Sequence, residues 1–407
     1  VQPVLLVLGA LSAFGPLSMD LYLPALPGLA ADLGVSSSTA QLTMTSCMVG
    51  LAVGQFITGP LSDRFGRRRP LLIGVLVYAI ASLLCAISPG AGVLIGLRLV
   101  QGLAGGAGIV IARAVVRDLY DTDAAARVFS MLMIVTGAAP VLAPVIGGQL
   151  LHVTSWRGLF VVLSLIGCVL LVASAITIHE TRRARPVIAA HSAIGDLRAV
   201  MQDPRFVGFM LVQAFASGML FAYITMSAFV LQDQFGFSSQ SFSFVFAINS
   251  VGLVAAGRFS AGLVGRVGPV RTLVIGATVG LAGAVMLLVG AALAVPVPVP
   301  VLLVVLFVTI SSVSLTMPTA TALGMHHHGD RAGTASGVLG LAQFGFGSVV
   351  GPLASVMATS MLSMSLAMVV TTAATCVALG MTIRITSRAG TSPKLGTTEE
   401  FSDSPLP

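Results

Sequence analysis

The sequence predicts an all-α membrane protein: twelve transmembrane helices arranged as two pseudo-symmetric six-helix bundles. Three observations predict it. The 407-residue chain is 56% hydrophobic and only 9% charged, with a mean hydropathy of +1.01. Ordinary soluble domains carry about 25% charged residues, so this chain lacks the charge to cover a soluble surface. Its apolar residues gather in runs that suit a bilayer core of about 30 Å, which takes about 20 helical residues to cross. Finally, a short segment recurs at the same place in each half of the chain.

With that length as a ruler, six helices fall near 4–24, 40–61, 70–88, 91–115, 128–151 and 157–178. Six more fall near 206–231, 241–264, 272–293, 299–322, 334–356 and 363–384. The first run is long and has no cleavage-type flank, so a helix is expected there and not a cleavable signal peptide. The longest hydrophilic connection, 179–205, divides the chain into an N-terminal bundle (1–178), a cytoplasmic central loop (179–205) and a C-terminal bundle (206–385). The tail, 386–407, is acidic and contains Ser and Pro, and reads as a disordered cytoplasmic segment.

The repeat supports this division. Residues 59–69 (GPLSDRFGRRR) and 261–271 (AGLVGRVGPVR) each follow the second helix of their half. A fixed offset of 202 aligns Leu61, Arg64, Gly66 and Arg69 with Leu263, Arg266, Gly268 and Arg271. Internal repeats of this kind, with a binding site between the halves near mid-membrane, build many secondary transporters.

The net charge of +7 does not point to nucleic acid, because the basic residues lie in short clusters between apolar runs and form no continuous face. Topology accounts for them. With both termini cytoplasmic, 18 of the 21 Lys and Arg residues fall on the cytoplasmic side, as the positive-inside rule requires. Arg98 and Arg258 lie within helices, and Arg157 alone lies outside. Arg258 reads either as a side chain that snorkels to the cytoplasmic surface or as one that lines the cavity.

Several classes are excluded. The only lysine is Lys394, in the tail, so no GxxxxGK[ST] phosphate loop exists and a self-contained ATP-driven pump is ruled out. Cys47, Cys85, Cys168 and Cys376 sit inside apolar runs without a CxxC pattern, and read as small hydrophobes; no disulfide framework or zinc site is indicated. HExxH and GxSxG are both missing, so no enzyme is expected. His326, His327 and His328 read as a solvated loop, because no partner ligands accompany them, and no metal or other cofactor is expected.

Asp20 carries the chemistry. Of the acidic residues it alone lies well inside a predicted helix, where a charge costs about 2.5–3.5 kcal/mol on insertion scales. Burial and a nearby cation act on a carboxylate's proton affinity in opposite directions, so a modest rearrangement would switch Asp20 between charge states. Arg98 lies at matching depth on the fourth helix and is the expected partner, directly or through water. The loop at 61–69 is the densest basic run, with Gly59 and Gly66 permitting tight turns and Asp63 placed to meet a helix N-terminus or an arginine. It is a candidate latch between the halves. In the fifth helix, Pro140 and Pro144 free backbone carbonyls, and Gly147 and Gly148 permit close approach. That helix is a candidate bending or sealing element. Gly102 with Gly106, and Gly333 with Gly337, have the small-xxx-small spacing of close helix packing. Candidate substrate contacts are Tyr22, Met133, Gln213, Tyr223, Met226, Asn249 and Gln343, a set of thioether, aromatic and amide groups suited to varied, partly apolar ligands.

Five segments carry a resemblance to a known family. SDRFGRRR (62–69), RLVQGLAGGAG (98–108) and APVLAPVIGG (139–148) resemble motifs A, B and C of the major facilitator superfamily, the last being its antiporter motif with Ala143 in place of the usual glycine. SMDLYLPALP (18–27) and AGTASGVLGLAQFGFGSVVG (332–351) resemble its Bcr/CflA branch, the bicyclomycin- and chloramphenicol-type exporters. The resemblance implies the major facilitator fold and proton-coupled export of small drugs by alternating access. The chain would then work as a monomer in the bacterial inner membrane, with drug, protons and lipid as its partners and the proton gradient in place of a cofactor. Asp20 takes the position of the family's protonatable aspartate and Arg98 that of the motif B arginine. Gly265 stands where the second half would repeat Asp63, which weakens any latch there. Among other functions, an uptake symporter is disfavoured by the antiporter motif. A sensor is disfavoured by the lack of an appended soluble domain, and a channel would show flux uncoupled from a pH gradient.

Overall fold

Proline, glycine and serine decide where the apolar runs become helix and where they stop. The computed structural model describes residues 3–120, 122–181, 193–293, 298–326, 328, 332–355 and 359–388. The first span is made of α1 (Pro3–Ser12), α2 (Phe14–Asp20), a 3-10 turn (Leu23–Ala25) and α3 (Leu26–Asp32). It is followed by α4 (Ser37–Phe65), α5 (Arg68–Ala86), α6 (Ala91–Leu119), α7 (Thr122–Leu150) and α8 (Trp156–Thr177). A short α9 (Ala193–Met201) leads to α10 (Pro204–Phe229), which ends in a π-helical turn (Val230–Gln234). The chain continues through α11 (Ser239–Val267), α12 (Pro269–Ala292), α13 (Val299–Met325), α14 (Ala332–Ser355) and α15 (Met361–Arg388).

Among the described residues, ten helices are long and apolar enough to cross a membrane. The first span, bent by 50°, makes an eleventh, and α7, whose apolar part is Ala138–Leu150, fills the remaining predicted place. Two expectations need correction. The first helix does not run unbroken over 4–24: it is interrupted at Ala13, between the segments Pro3–Ser12 and Leu17–Asp32 that meet at 50°, and again after Asp20, where Pro24 and Pro27 lack the N–H groups a continuous helix needs, before it resumes as far as Asp32. The central connection also holds a helix of its own, α9, whose Val200 packs with Phe206 and Leu339. Residues 182–192 and the tail from 389 lie outside the described residues, as does the expected disorder of that tail.

The repeat is structural as well as sequential. Helices α4 and α11 are each 29 residues long and start and stop 202 positions apart. Ser36 accepts a hydrogen bond from the Thr39 amide, and Ser238 accepts one from Ser241, so each helix begins on the same serine cap. Each ends on a glycine in the left-handed region, Gly66 at φ +87° and Gly268 at φ +88°.

Within the first half, α4 and α6 pack backbone to backbone. A Cβ on Gly102 would overlap the Cys47 carbonyl, and one on Gly50 or Gly54 would overlap the Leu99 or Leu103 carbonyl. The predicted Gly102 and Gly106 stripe therefore faces a second glycine stripe on α4. In the second half, α10 packs on α13, α14 and α15, and α12 on α13. The halves meet chiefly along α4 with α14 and α7 with α11, with smaller contacts of α3, α4 and the 3-10 turn on α10 and α11. Polar contacts between the halves run from mid-helix to the end opposite the arginine-rich loop 62–69: Ser250 Oγ on the Pro140 carbonyl (3.3 Å), Thr45 Oγ1 on the Ser348 carbonyl (2.9 Å), Gln232 Nε2 on the Pro24 carbonyl (3.0 Å) and His152 Nε2 beside Gln240 Oε1 (3.2 Å). The Pro140 carbonyl is free to accept from α11 because Pro144, four residues on, has no N–H to donate.

Candidate functional site

The break in the first span is the centre of the site. Pro24 leaves the Asp20 carbonyl without its helical donor, and Leu21 and Tyr22 separate α2 from the 3-10 turn. Asp20 is the last residue of α2, at a helix end and not at a helix centre. Its carboxylate is 5% exposed and makes no hydrogen bond or ion pair among the described residues. A polar group held in that condition is costly, which makes the position a functional candidate.

Arg98 is fully buried beside the break, yet it does not pair with Asp20. Its Nη2 donates to the Ser18 carbonyl (2.8 Å), its Nε to the Thr43 carbonyl (3.3 Å) and its Nη1 to Gln101 Oε1. The guanidinium lies 4.4 Å from the Tyr22 ring centre and 5.5 Å from that of Phe160. No direct pair forms with Asp20; Arg98 instead meets the backbone two residues before it. The helix break orphans carbonyls on α2, and Arg98 supplies the donor that one of them lacks. Gln101 passes the arrangement on: its Nε2 donates to Ser82 Oγ (2.7 Å), whose hydroxyl in turn donates to the Tyr78 carbonyl (2.7 Å).

Tyr22, expected on the cavity wall, belongs to this cluster. It is fully buried, its hydroxyl lies 3.0 Å from Thr43 Oγ1, and its ring packs against both the Arg98 guanidinium and the Phe160 ring. The other candidate contacts fall into two groups in the second half. Gln213 joins α10 to α14 through Gln343 Oε1 (3.1 Å) and to α13 by accepting from Thr321 Oγ1 (2.7 Å). Asn249 donates to the Tyr223 hydroxyl (2.7 Å), and Tyr223 stacks on Phe246. Met226 is fully buried within α10. The side chains of Met133 and Asp63 lie outside the described residues.

Gly147 and Gly148 place α7 between the break and the second half. A Cβ on Gly147 would overlap the Leu21 carbonyl, one residue past Asp20. A Cβ on Gly148 would overlap Ser243 Oγ of α11. The sealing role expected of these glycines thus has two faces, one toward each half.

At the arginine-rich end, the candidate latch makes its described contacts within its own half. Arg67 Nε binds Asp118 Oδ2 at 2.9 Å and its Nη1 donates to Ser62 Oγ at 2.7 Å. The backbone amides of Arg67 and Arg68 donate to the two carboxylate oxygens of Glu180, at 2.8 and 3.3 Å. Thr181 Oγ1 reaches the same Asp118 oxygen at 3.3 Å. Gly59 lies one turn before this cluster on α4, Gly66 forms the turn, and Arg64 is exposed. The acidic partners of this loop, Asp118 on α6 and Glu180 after α8, belong to the same half. His328 also departs from expectation: it is buried, 3.1 Å from Asp203 Oδ2 and edge-on to Phe206, and so ties the loop before α14 to the start of α10. No group of metal-ligating side chains occurs among the described residues.

Comparison with known proteins places this geometry. The model of the Major Facilitator Superfamily matches residues 7–352. The chain is 36% identical over 373 residues to the uncharacterized MFS-type transporter YdgK of Bacillus subtilis, covering 90% of this chain and 91% of that one. It is 30% identical over 355 residues to the bicyclomycin resistance protein homolog of Haemophilus influenzae, covering 87% and 89%. Its fold matches that of a bacterial homolog of the human lysosomal transporter Spinster, solved in an inward-facing and unoccupied conformation, with a TM-score of 0.76, 15% identity and coverage of 96% and 98%. This chain is a multi-pass membrane transporter and belongs to the major facilitator superfamily.

Proposed function

We propose that the protein is a proton-coupled antiporter that exports small drugs of the chloramphenicol or bicyclomycin type across the bacterial inner membrane, as a monomer with both termini cytoplasmic. The observation that carries this reading is the buried carboxylate of Asp20 at the broken first span, with no partner among the described residues. A carboxylate so placed binds and releases a proton as its surroundings change. Drug in the cavity and a proton on Asp20 then disfavour each other, and each ligand biases a different state of the carrier. The proton gradient supplies the drive and no bound cofactor takes part.

The relative of Haemophilus influenzae, named for bicyclomycin resistance, supports the substrate class. The amide and phenol groups of Gln213, Gln343, Tyr223 and Asn249, set among Met219, Met226 and Phe344, suit neutral ligands with an apolar body and a few polar groups. The motif A residues Gly59, Asp63, Arg64, Gly66 and Arg67 act as a conformational latch, working through Asp118 and Glu180.

The test is efflux of chloramphenicol and of bicyclomycin from energised vesicles, with and without an uncoupler. The native chain drives uncoupler-sensitive efflux, and Asp20→Asn folds but loses it. Accumulation against a gradient by the folded Asp20→Asn variant would defeat the reading.

A further inference from the structure

The π-helical turn at the end of α10 is a local irregularity that the transport reading leaves unused. Such turns are rare and recur at functional sites, since the inserted residue re-aims the side chains that follow. Here the turn Val230–Gln234, closed by the Phe235 amide on the Val230 carbonyl at 3.2 Å, aims Gln232 across the seam between the halves. Gln232 Nε2 donates to the Pro24 carbonyl at 3.0 Å. Its other amide atom, Oε1, accepts from Ser239 Oγ at 2.9 Å, which fixes the orientation of the amide and keeps the donor on the Pro24 side. Gln234 Oε1 accepts the Met361 amide at 2.8 Å and holds the turn against the start of α15.

Pro24 belongs to the 3-10 turn that follows the break at Asp20. Of the described inter-half hydrogen bonds, this is the one that lands on the broken segment itself, four positions from Asp20. The first half holds the same segment by Arg98 on Ser18 and by Thr43 on Tyr22. Separating the halves at this end therefore requires Gln232 to release Pro24, whereas the Arg98 contacts can stay intact.

We propose that Gln232 is a positioning residue that latches the broken first span to the second half, so that the Gln232–Pro24 hydrogen bond must break each time the end opposite the arginine-rich loop opens. The inference rests on the alternating-access part of the proposed function and not on the identity of the drug or the driving ion.

Hydrogen–deuterium exchange of the full chain in nanodiscs, read by mass spectrometry without added substrate, tests it. Loss of the bond moves the ratio of the two carrier states by about fivefold. Gln232→Leu and Gln232→Glu, neither of which donates to a carbonyl, raise exchange over 21–33, 148–156 and 232–242. Both lower it reciprocally around 61–69 and 264–271, where the carrier closes. Ser239→Ala, which keeps the donor but frees the amide, gives the same pattern at smaller amplitude. A change confined to peptides touching residue 232, or no change, overturns the latch, because a merely local packing role leaves the arginine-rich end untouched. Should Gln232→Leu misfold, Gln232→Glu and Ser239→Ala decide by the same criterion. In parallel, the pH response of exchange in the native chain disappears in Asp20→Asn. Its survival there would sink the proton reading while leaving the latch to be judged on the Gln232 variants.

Discussion

Arg98 donates to the carbonyl of Ser18 at 2.8 Å, two residues before Asp20, and makes no bond to the Asp20 carboxylate. The arginine therefore acts on the site through the backbone of the broken span, and lysine cannot copy it. Lysine keeps the charge but loses the planar fork that serves Ser18, Thr43 and Gln101 at once. Arg98→Lys should behave like Arg98→Ala, with stability lowered by roughly 3 kcal/mol, since hydrogen bonds to a charged group are worth about 1.5–3 kcal/mol each. Thermal unfolding in detergent and uncoupler-sensitive efflux read the two variants. A lysine variant that keeps native stability and transport would mean that charge alone suffices.

The paired glycines at the ends of α4 and α11 give an internal control. Both pair a positive φ with an extended ψ (168° and 161°), a region almost confined to glycine, where a side chain costs about 1–3 kcal/mol. They differ in surroundings: a Cβ on Gly66 would overlap the Glu180 carboxylate, while one on Gly268 meets nothing within 4 Å. Gly268→Ala should cost only the backbone strain. Gly66→Ala should cost clearly more, because it also displaces the carboxylate that accepts the Arg67 and Arg68 amides. Melting temperatures of the two single variants compare the costs directly, and equal values would remove Glu180 from the account.

The apolar spans, the repeat and the scarcity of acids that singles out Asp20 were legible in the sequence, because each is a one-dimensional pattern of hydropathy, spacing or charge. Pairings were not. The Gly102 and Gly106 stripe could be seen in α6, but its partners Gly50 and Gly54 become meaningful only once α4 is known to lie against it. Arg157 looked like a stray charge on the wrong side. It donates to the Ala86 and Ser88 carbonyls at the end of α5 and lies 3.5 Å from Asp32, so it caps a helix as a cation near a C-terminus should. Asp20 and Arg98 were matched correctly in depth, but depth does not tell which atom a guanidinium reaches. Tyr22 lies with its ring 4.4 Å from the Arg98 guanidinium, a contact between α6 and the residues after α2 that spacing along the chain does not reveal.

Helix α6 allows a sharper test of the glycine packing. Gly102→Ala places a methyl into the Cys47 carbonyl, a backbone atom that moves only if α4 moves. Gly96, on the same helix, has open space where its Cβ would stand. Gly96→Ala should be neutral or stabilising by up to about 1 kcal/mol, the propensity gain of alanine over glycine, while Gly102→Ala should lower the melting temperature markedly. Similar behaviour of the two would show that helix propensity, not interhelical approach, governs these positions.

Gly147 and Gly148 should separate in the same way, with consequences for transport. An alanine at 147 meets the Leu21 carbonyl, which is backbone and is tied into the break beside Asp20. An alanine at 148 meets chiefly the Ser243 hydroxyl, the end of a short side chain. Gly147→Ala should therefore abolish uncoupler-sensitive efflux, and no change on α11 should restore it. Gly148→Ala should impair efflux partially, and Ser243→Ala in the same chain should recover most of the loss, because the overlapping oxygen is gone. Efflux from vesicles containing matched amounts of folded protein decides between the two. Native efflux from Gly147→Ala, or failure of Ser243→Ala to rescue Gly148→Ala, would break the link drawn between α7, the Asp20 break and the seam with the second half.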